Sequence, residues 1–307
     1  MCVFITEADL KVIIMKIAIY GRITEKSLPA EMQQLFDKLE QQGVELLIGK
    51  EYLKYLNAGF SLNGKIRELN DYNEIRGEAD VLLSFGGDGT LLETTAYVRN
   101  SGIPILGINT GRLGFLAGLT VQEAVENAVE RLKGRKYALD KRTLVKVETS
   151  SGLFGDVNYA MNEFTVQRKD SSAMMTIHTW INGEFLNSYW ADGIIIATPT
   201  GSTAYSLSCG GPLMVPDSRS FVITPLSPHN LNVRPLIIPD DSIIQLKVEG
   251  RSNAFLASLD ARMETFEPST ELTVRKEDFK ISLIRFGDQH FFNTIREKLL
   301  WGSDKRN

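Results

Sequence analysis

Apolar positions in the first half of the chain alternate between two periods. Short continuous runs read as buried strands at 16–20, 44–48, 81–85 and 104–108. Helical spacing between them marks Ala30 to Gln42, closed by Gly43 as a C-cap, and Thr90 to Val98. Thr120 followed by Glu123 predicts a capping box. The helix it opens carries Val121, Ala124, Val125, Ala128, Val129 and Leu132 on one face and ends near Gly134. The Lys/Leu/Asn-rich stretch after Ile48 predicts no definite element. Strands alternating with helices imply an α/β domain with a parallel sheet.

Beyond residue 140 the period changes to two. Leu144 to Glu148 alternates, as does Thr176 to Ile181, which runs into Asn182-Gly183, a strong hairpin signal. Further strand-like segments follow near 193–198, 220–224, 236–239, 243–249, 255–259 and 271–275, with little helical spacing between them. This half reads as a β-rich, sandwich-like domain. Phe291 to Trp301 reads as a short aromatic helix that docks back on the first domain. The expected division is therefore an α/β domain over 1–139, joined by the tail 286–307, and a β-rich domain over 140–285.

Composition fits a soluble enzyme, with 43% hydrophobic and 23% charged residues, enough to build real cores. The net charge of −4 argues against nucleic acid as a partner. Met1 to Met15 mixes apolar residues with Glu7, Asp9 and Lys11, which is neither a signal peptide nor a membrane span. Met15 looks like a natural start, so the first 14 residues read either as an extension without a role in the fold or as a mis-assigned start. Cys2 and Cys209 have no metal or redox spacing, which suggests a reducing, cytoplasmic setting. His178, His229 and His290 show no ligand spacing either, and no metal-binding residue is assigned.

The chemistry concentrates at Gly86-Gly87-Asp88-Gly89-Thr90, between a strand and a helix. Glycines there let backbone N–H groups at a helix N-terminus approach a phosphate. An acid among them would repel that phosphate unless it serves a cation or a hydroxyl, which points to phosphoryl transfer. The plainer alternative is a tight turn with Asp88 as N-cap. Neither a GxxxxGK[ST] loop nor a GxGxxG fingerprint is present.

Three other stretches stand out. Asn109 to Leu116 should reach the same sheet edge as the glycine turn, with Phe115 either a stacking platform or a core aromatic. Asn162-Glu163 sets an amide and a carboxylate in an apolar strand, suited to ligand hydroxyls or a cation, or else to a solvated strand end. Ala191-Asp192-Gly193 leads into the hydroxyl-rich run Thr198-Pro199-Thr200-Gly201-Ser202-Thr203-Ala204-Tyr205-Ser206-Leu207-Ser208, which can offer many donors, with Tyr205 able to stack.

In this order and spacing, the glycine turn, Asn109 to Leu116, Asn162-Glu163 and Thr198 to Pro212 resemble the NAD kinase family, from about Lys16 to the C-terminus. The resemblance implies a two-domain kinase that moves the γ-phosphoryl of ATP, with Mg2+, onto the 2′-hydroxyl of the adenosine ribose of NAD. It assigns Asp88 as catalytic base and Gly86, Gly87, Gly89 and Thr90 as the phosphate turn. It places NAD against Asp88, Gly89, Phe115, Asn162, Glu163, Asp192, Thr203, Ala204, Tyr205, Ser206, Leu207 and Ser208. It further implies a homotetramer or homodimer in which a neighbouring subunit completes the site. Two departures matter: Trp190 replaces a common arginine, and Asp260-Ala261-Arg262 replaces Asp-Gly-Gln or Asp-Ser-Gln. Arg262 is expected to restore a cation near NAD, so Arg262→Gln should change the Michaelis constants. Two rivals remain at this point. A lipid kinase would want an amphipathic basic helix, which the sequence lacks. A non-catalytic dinucleotide-binding regulator would not need Asp88.

Overall fold

The computed structural model describes residues 14–25, 28–111, 114–169, 174–287 and 291–301. Residues 1–13, where the expected N-terminal extension falls, Arg112, Leu113 and His290 lie outside the described residues, as does the tail beyond Trp301.

The first sheet orders its strands Lys65–Leu69, Glu45–Gly49, Lys16–Gly21, Val81–Phe85, Ile105–Asn109, Ile281–Arg285 and Ala138–Arg142, with Leu119–Thr120 pairing off Ile105–Asn109. All neighbours are parallel except the last pair in that order. Alternation sends Ile17, Ile19, Leu83 and Phe85 to one face, with the helix 32–41. It sends Ala18, Leu82 and Ile105 to the other, with Leu91 and Val98 of the helix 88–98. Two covered faces explain why Val81–Phe85 and Ile105–Asn109 are buried at every position.

Helix Met32–Gln41 buries Met32, Leu35, Phe36 and Leu39, spaced for one stripe, and Gly43 follows with φ of +67°. The Thr120 capping box is present in both directions: the Glu123 N–H donates to Thr120 Oγ1 at 3.3 Å, and the Thr120 N–H to Glu123 Oε2 at 2.7 Å. The helix it opens passes through a π turn at Ala124–Ala128 and ends at Gly134.

The second half forms two antiparallel six-stranded sheets. Val145, Ile177, Val248 and Val274 of one sheet meet Phe164, Ile194, Phe221 and Ala257 of the other in a shared core. Asn182 and Gly183, at φ of 53° and 83°, join Met175–Ile181 to Glu184–Ala191 as a tight hairpin.

Two findings differ from the sequence expectation. The stretch after Ile48 contains a helix, Lys50–Asn57, and an edge strand, Lys65–Leu69. Strand Ile281–Arg285, within the span assigned to the β-rich half, lies in the first sheet, paired with Ile105–Asn109 and Ala138–Arg142. The local pattern of a strand does not name its partner, and here the partners lie more than a hundred residues back.

Candidate active site

From strand Lys16–Gly21 the chain builds outward through Glu45–Gly49 to Lys65–Leu69. It then returns to the opposite side of Lys16–Gly21 with Val81–Phe85. The order reverses there, and the carboxyl ends of these two central strands, Gly21 beside Phe85, open the crevice where open α/β sheets bind ligands.

The glycine turn occupies this crevice. A β-carbon on Gly86 would sit 2.3 Å from Thr90 Oγ1, so only glycine lets the turn close on the helix. Gly87 is the N-cap, its carbonyl accepting the Thr90 and Leu91 N–H groups at 3.1 and 3.2 Å. The Asp88 carboxylate does not cap its own helix. Oδ2 accepts the Phe115 N–H at 2.7 Å, and Oδ1 accepts those of Leu116 and Ala117 at 2.9 and 3.0 Å. A carboxylate offers about four lone-pair directions, so three amides leave one, on Oδ2, for a hydroxyl. The glycine turn and the segment after Asn109 therefore meet, joined by Asp88.

Beside the turn, Arg22 follows the first strand. Its Nε donates to Glu93 Oε1 at 2.9 Å and its Nη2 points to the Gly89 carbonyl at 3.5 Å, while Tyr20 Oη donates to Glu93 Oε2 at 2.8 Å. A cavity of about 600 Å3 opens here, walled by Tyr20, Arg22, Tyr52, Asn70, Tyr72 and Glu93. Sequence reasoning missed these residues. Their signal was positional, since Arg22, Tyr52, Asn70 and Tyr72 follow the carboxyl ends of the first three strands.

The second cluster surrounds Asn162 and Glu163, both buried. Asp260, in the hairpin turn after Phe255–Leu259, accepts the backbone N–H groups of Met161, Asn162 and Glu163 at 3.0, 2.8 and 3.4 Å. The Tyr205 backbone faces Glu163, whose Oε2 is buried without a partner. Burial first, and the nearby Asp260 carboxylate second, push Glu163 up to about 8. The hydroxyl-rich segment is anchored on this strand: the Thr198 N–H donates to the Asn162 carbonyl at 2.9 Å, and a β-carbon on Gly201 would lie 2.1 Å from that oxygen.

Most hydroxyls of that segment serve the fold. Ser202 Oγ donates to the Pro199 carbonyl at 2.7 Å, and Thr203 Oγ1 donates to the Thr200 carbonyl at 3.0 Å. Ser206, expected against NAD, is fully buried with its Oγ 2.8 Å from Thr224 Oγ1. Tyr205 and Ser208 are exposed, Thr203, Ala204 and Leu207 half-buried. Tyr205 and Ser208 line a cavity of about 560 Å3 with Asp192, Arg168 and Gln167. Gln167 Nε2 donates to Tyr205 Oη at 3.1 Å.

Two family descriptions match the chain: the ATP-NAD kinase N-terminal domain over residues 17–137 and the ATP-NAD kinase C-terminal domain over 161–286. The NAD kinase of Flavobacterium psychrophilum is 47% identical over 295 residues, which is 95% of this chain and all of that one. That of Bacteroides fragilis is 44% identical with the same coverage. The chain belongs to the NAD kinase family.

Family membership makes it a phosphotransferase by descent, and the architecture agrees. Yeast NADH kinase, solved with NADH, superposes with a TM-score of 0.85 at 25% identity over 95% of this chain and 89% of that one. An NAD kinase from Archaeoglobus fulgidus, solved with ATP, shares the fold at a TM-score of 0.70 and 21% identity, over 93% and 99% of the two chains. Among the described residues no helix is long and apolar enough to cross a membrane.

Measured against the expectations for this family, Arg262 is placed differently. Its Nη1 and Nη2 donate to the Val157 and Tyr159 carbonyls, bracing the approach to Asn162 from behind. The cation beside Asp192 is Arg168, whose Nη2 lies 3.2 Å from Asp192 Oδ2. Trp190 is 54% exposed and packs on His229, ring centres 5.2 Å apart. Phe115 is half-buried and lines a third cavity, of about 460 Å3, with Asp140, Arg142, Arg285, Pro216 and Phe291.

Proposed function

We propose that this chain transfers the γ-phosphoryl group of ATP to the 2′-hydroxyl of the adenosine ribose of NAD, giving NADP and ADP. The observation that carries the reading is the Asp88 carboxylate, held on a glycine turn at a helix N-terminus with one lone pair of Oδ2 left open. The ribose oxygen attacks phosphorus in line, the bond from phosphorus to the β,γ-bridging oxygen breaks, and the hydroxyl proton passes to Asp88. A ribose hydroxyl is weakly acidic, so Asp88 acts in concert with transfer and by orienting the nucleophile.

The acceptor is held by Asn162 and Glu163, whose partnerless Oε2 suits a ribose hydroxyl, with Phe115, Asp192 and the exposed face of Thr203, Ala204, Tyr205, Leu207 and Ser208 along the dinucleotide. The donor enters from the opposite side, its phosphates over Gly86, Gly87, Gly89 and Thr90 and its nucleoside toward the cleft of Arg22 and Tyr72. Mg2+ would come with ATP and supply neutralisation of the phosphate charge.

Assembly as a homotetramer or homodimer is part of this reading. It is supported by Phe185, Trp190, Ile237 and Met263, large apolar side chains left exposed on the second domain. Two cysteines without redox spacing support a cytoplasmic setting.

The test is purified protein with NAD, ATP and Mg2+, NADP being read by an NADP-specific dehydrogenase. Asp88→Asn should bind NAD with little change while kcat falls about 10²–10⁴-fold, the range for losing a general base. Unaltered turnover in that variant would remove Asp88 from the mechanism.

A further inference from the structure

Strands Ala138–Arg142 and Ile281–Arg285 run antiparallel at one edge of the first sheet, with Asp140 opposite Leu283 and Ala138 opposite Arg285. Asp140 holds two arginines there. Arg142 grips it with two donors, Nε to Oδ1 at 2.9 Å and Nη2 to Oδ2 at 2.5 Å, and Arg285 Nε donates to Oδ2 at 3.3 Å.

Each arginine has a further donor spent on a different part of the site. Arg285 Nη1 donates to the Leu116 carbonyl at 3.2 Å, and the N–H of that same residue donates to Asp88 Oδ1. Arg142 Nη1 donates to Thr200 Oγ1 at 3.2 Å, inside the segment anchored on Asn162. One carboxylate therefore stands midway along a continuous chain of bonds. It runs from Asp88 through Leu116, Arg285, Asp140 and Arg142 to Thr200.

Two guanidinium groups this close repel. Arg142 lies with its side chain only 6% exposed and Arg285 with 17%, so water screens them little. Without the carboxylate, the pair loses the one group bonded to both arginines here, and relief comes by moving one arginine off its carbonyl or hydroxyl.

We propose that Asp140 is a positioning residue of the phosphoryl-transfer site, fixing the Asp88 loop relative to the dinucleotide-binding segment by clamping Arg285 and Arg142 together. The inference rests on the function proposed above. It predicts that turnover depends on Asp140 through Asp88 alone, because what the clamp sets is the placement of that carboxylate.

A double-mutant cycle tests this, with melting curves confirming that each variant is folded. Asp140→Asn should lower kcat about 10–100-fold, the scale for small misplacements of a reacting group, with KM for ATP changed less than about threefold. Asp140→Glu should recover part of the loss. In an Asp88→Asn background, Asp140→Asn should cost less than about threefold more, whereas a general loss of structure costs the same in both backgrounds.

If Asp140→Asn unfolds the protein, Arg285→Lys takes its place in the cycle, keeping a cation beside Asp140 while removing the fork that reaches Leu116. Amide hydrogen exchange at Phe115 to Ala117, faster in either variant, reads the same link without turnover. Unchanged kcat, an equal loss in both backgrounds, or unchanged exchange would overturn the proposal. A wild-type protein that makes no NADP would instead defeat the functional reading, and the exchange measurement would still decide this one.

Discussion

A β-carbon placed on Gly114 would lie 2.1 Å from Oδ1 of Asp88 and 2.4 Å from Oδ2. The backbone after Asn109 thus runs directly over the carboxylate, which is how three successive amides, at Phe115, Leu116 and Ala117, all reach it. Any side chain at 114 must push the loop or the carboxylate aside. Gly114→Ala is expected to lower kcat about 10²-fold, since displacements near 1 Å at a reacting centre have that effect. The protein should remain folded, because the strain falls on a loop at the sheet edge. Steady-state NADP formation beside a melting curve checks this, and wild-type kcat in the alanine variant would show the close approach to be unimportant.

Glu163 gives a pH signature. Its carboxyl is pushed up to about 8 in the folded chain from an ordinary 4.5, by burial and then by Asp260. Folding therefore favours the protonated form. The stability this contributes is complete below about 4.5 and is lost as pH rises toward 8. Glu163→Gln removes the titration, so its melting temperature relative to wild type should climb between pH 5 and 8 and then level off. Ribose hydroxyls donating to the carboxylate favour its charged form, so NAD should bind with release of a proton near neutral pH. Calorimetry in two buffers of different ionisation enthalpy reads that proton. A flat melting difference together with no proton release would contradict the assignment.

Arg262 acts on stability before affinity. Its two donors meet the Val157 and Tyr159 carbonyls, and its charge favours the ionised form of the buried Asp260 that holds Met161 to Glu163 in place. Arg262→Ala should destabilise the fold by about 1–3 kcal/mol, the cost of leaving buried acceptors unpaired. KM for ATP should be unmoved and KM for NAD raised only through the slackened Asn162–Glu163 turn. Chemical denaturation alongside kinetics separates the two. A large rise in KM for NAD at unchanged stability would return Arg262 to the ligand.

Much of this was legible in the sequence because it is local. The Thr120–Glu123 box, the Asn182-Gly183 turn and the helix behind Gly86 to Thr90 are each specified by residues within a few positions of one another. Strand Lys65–Leu69 escaped because an edge strand can be largely polar and still pair. The bonds of Arg262, Asp140 and Arg285 escaped for another reason. Their partners lie 103, 145 and 169 residues away, and a charged residue in a strand pattern looks the same whether it faces solvent or a distant backbone carbonyl or side chain. Ser206 differs in the opposite direction. A hydroxyl in a polar run suggests a ligand, and only the fold shows it spent on Thr224.

The last expectation concerns the donor nucleotide. Arg22 is held to Glu93, a residue of the helix that Asp88 begins, and its Nη2 reaches toward the Gly89 carbonyl, so its charge stands at the rim of the phosphate turn. The side chain remains 47% exposed, so the pairing with Glu93 does not bury its charge. A triphosphate entering the cleft of Tyr20, Tyr52 and Tyr72 would pass it. Arg22→Ala should therefore raise KM for ATP about tenfold, near the energy of one charge-assisted contact, and leave KM for NAD within about twofold. Added salt should raise KM for ATP more steeply in the wild type than in the variant, because only the wild type has this cation to screen. Equal effects on both Michaelis constants would mean that Arg22 shapes the turn, whereas no effect on either would place the nucleotide elsewhere on the sheet edge.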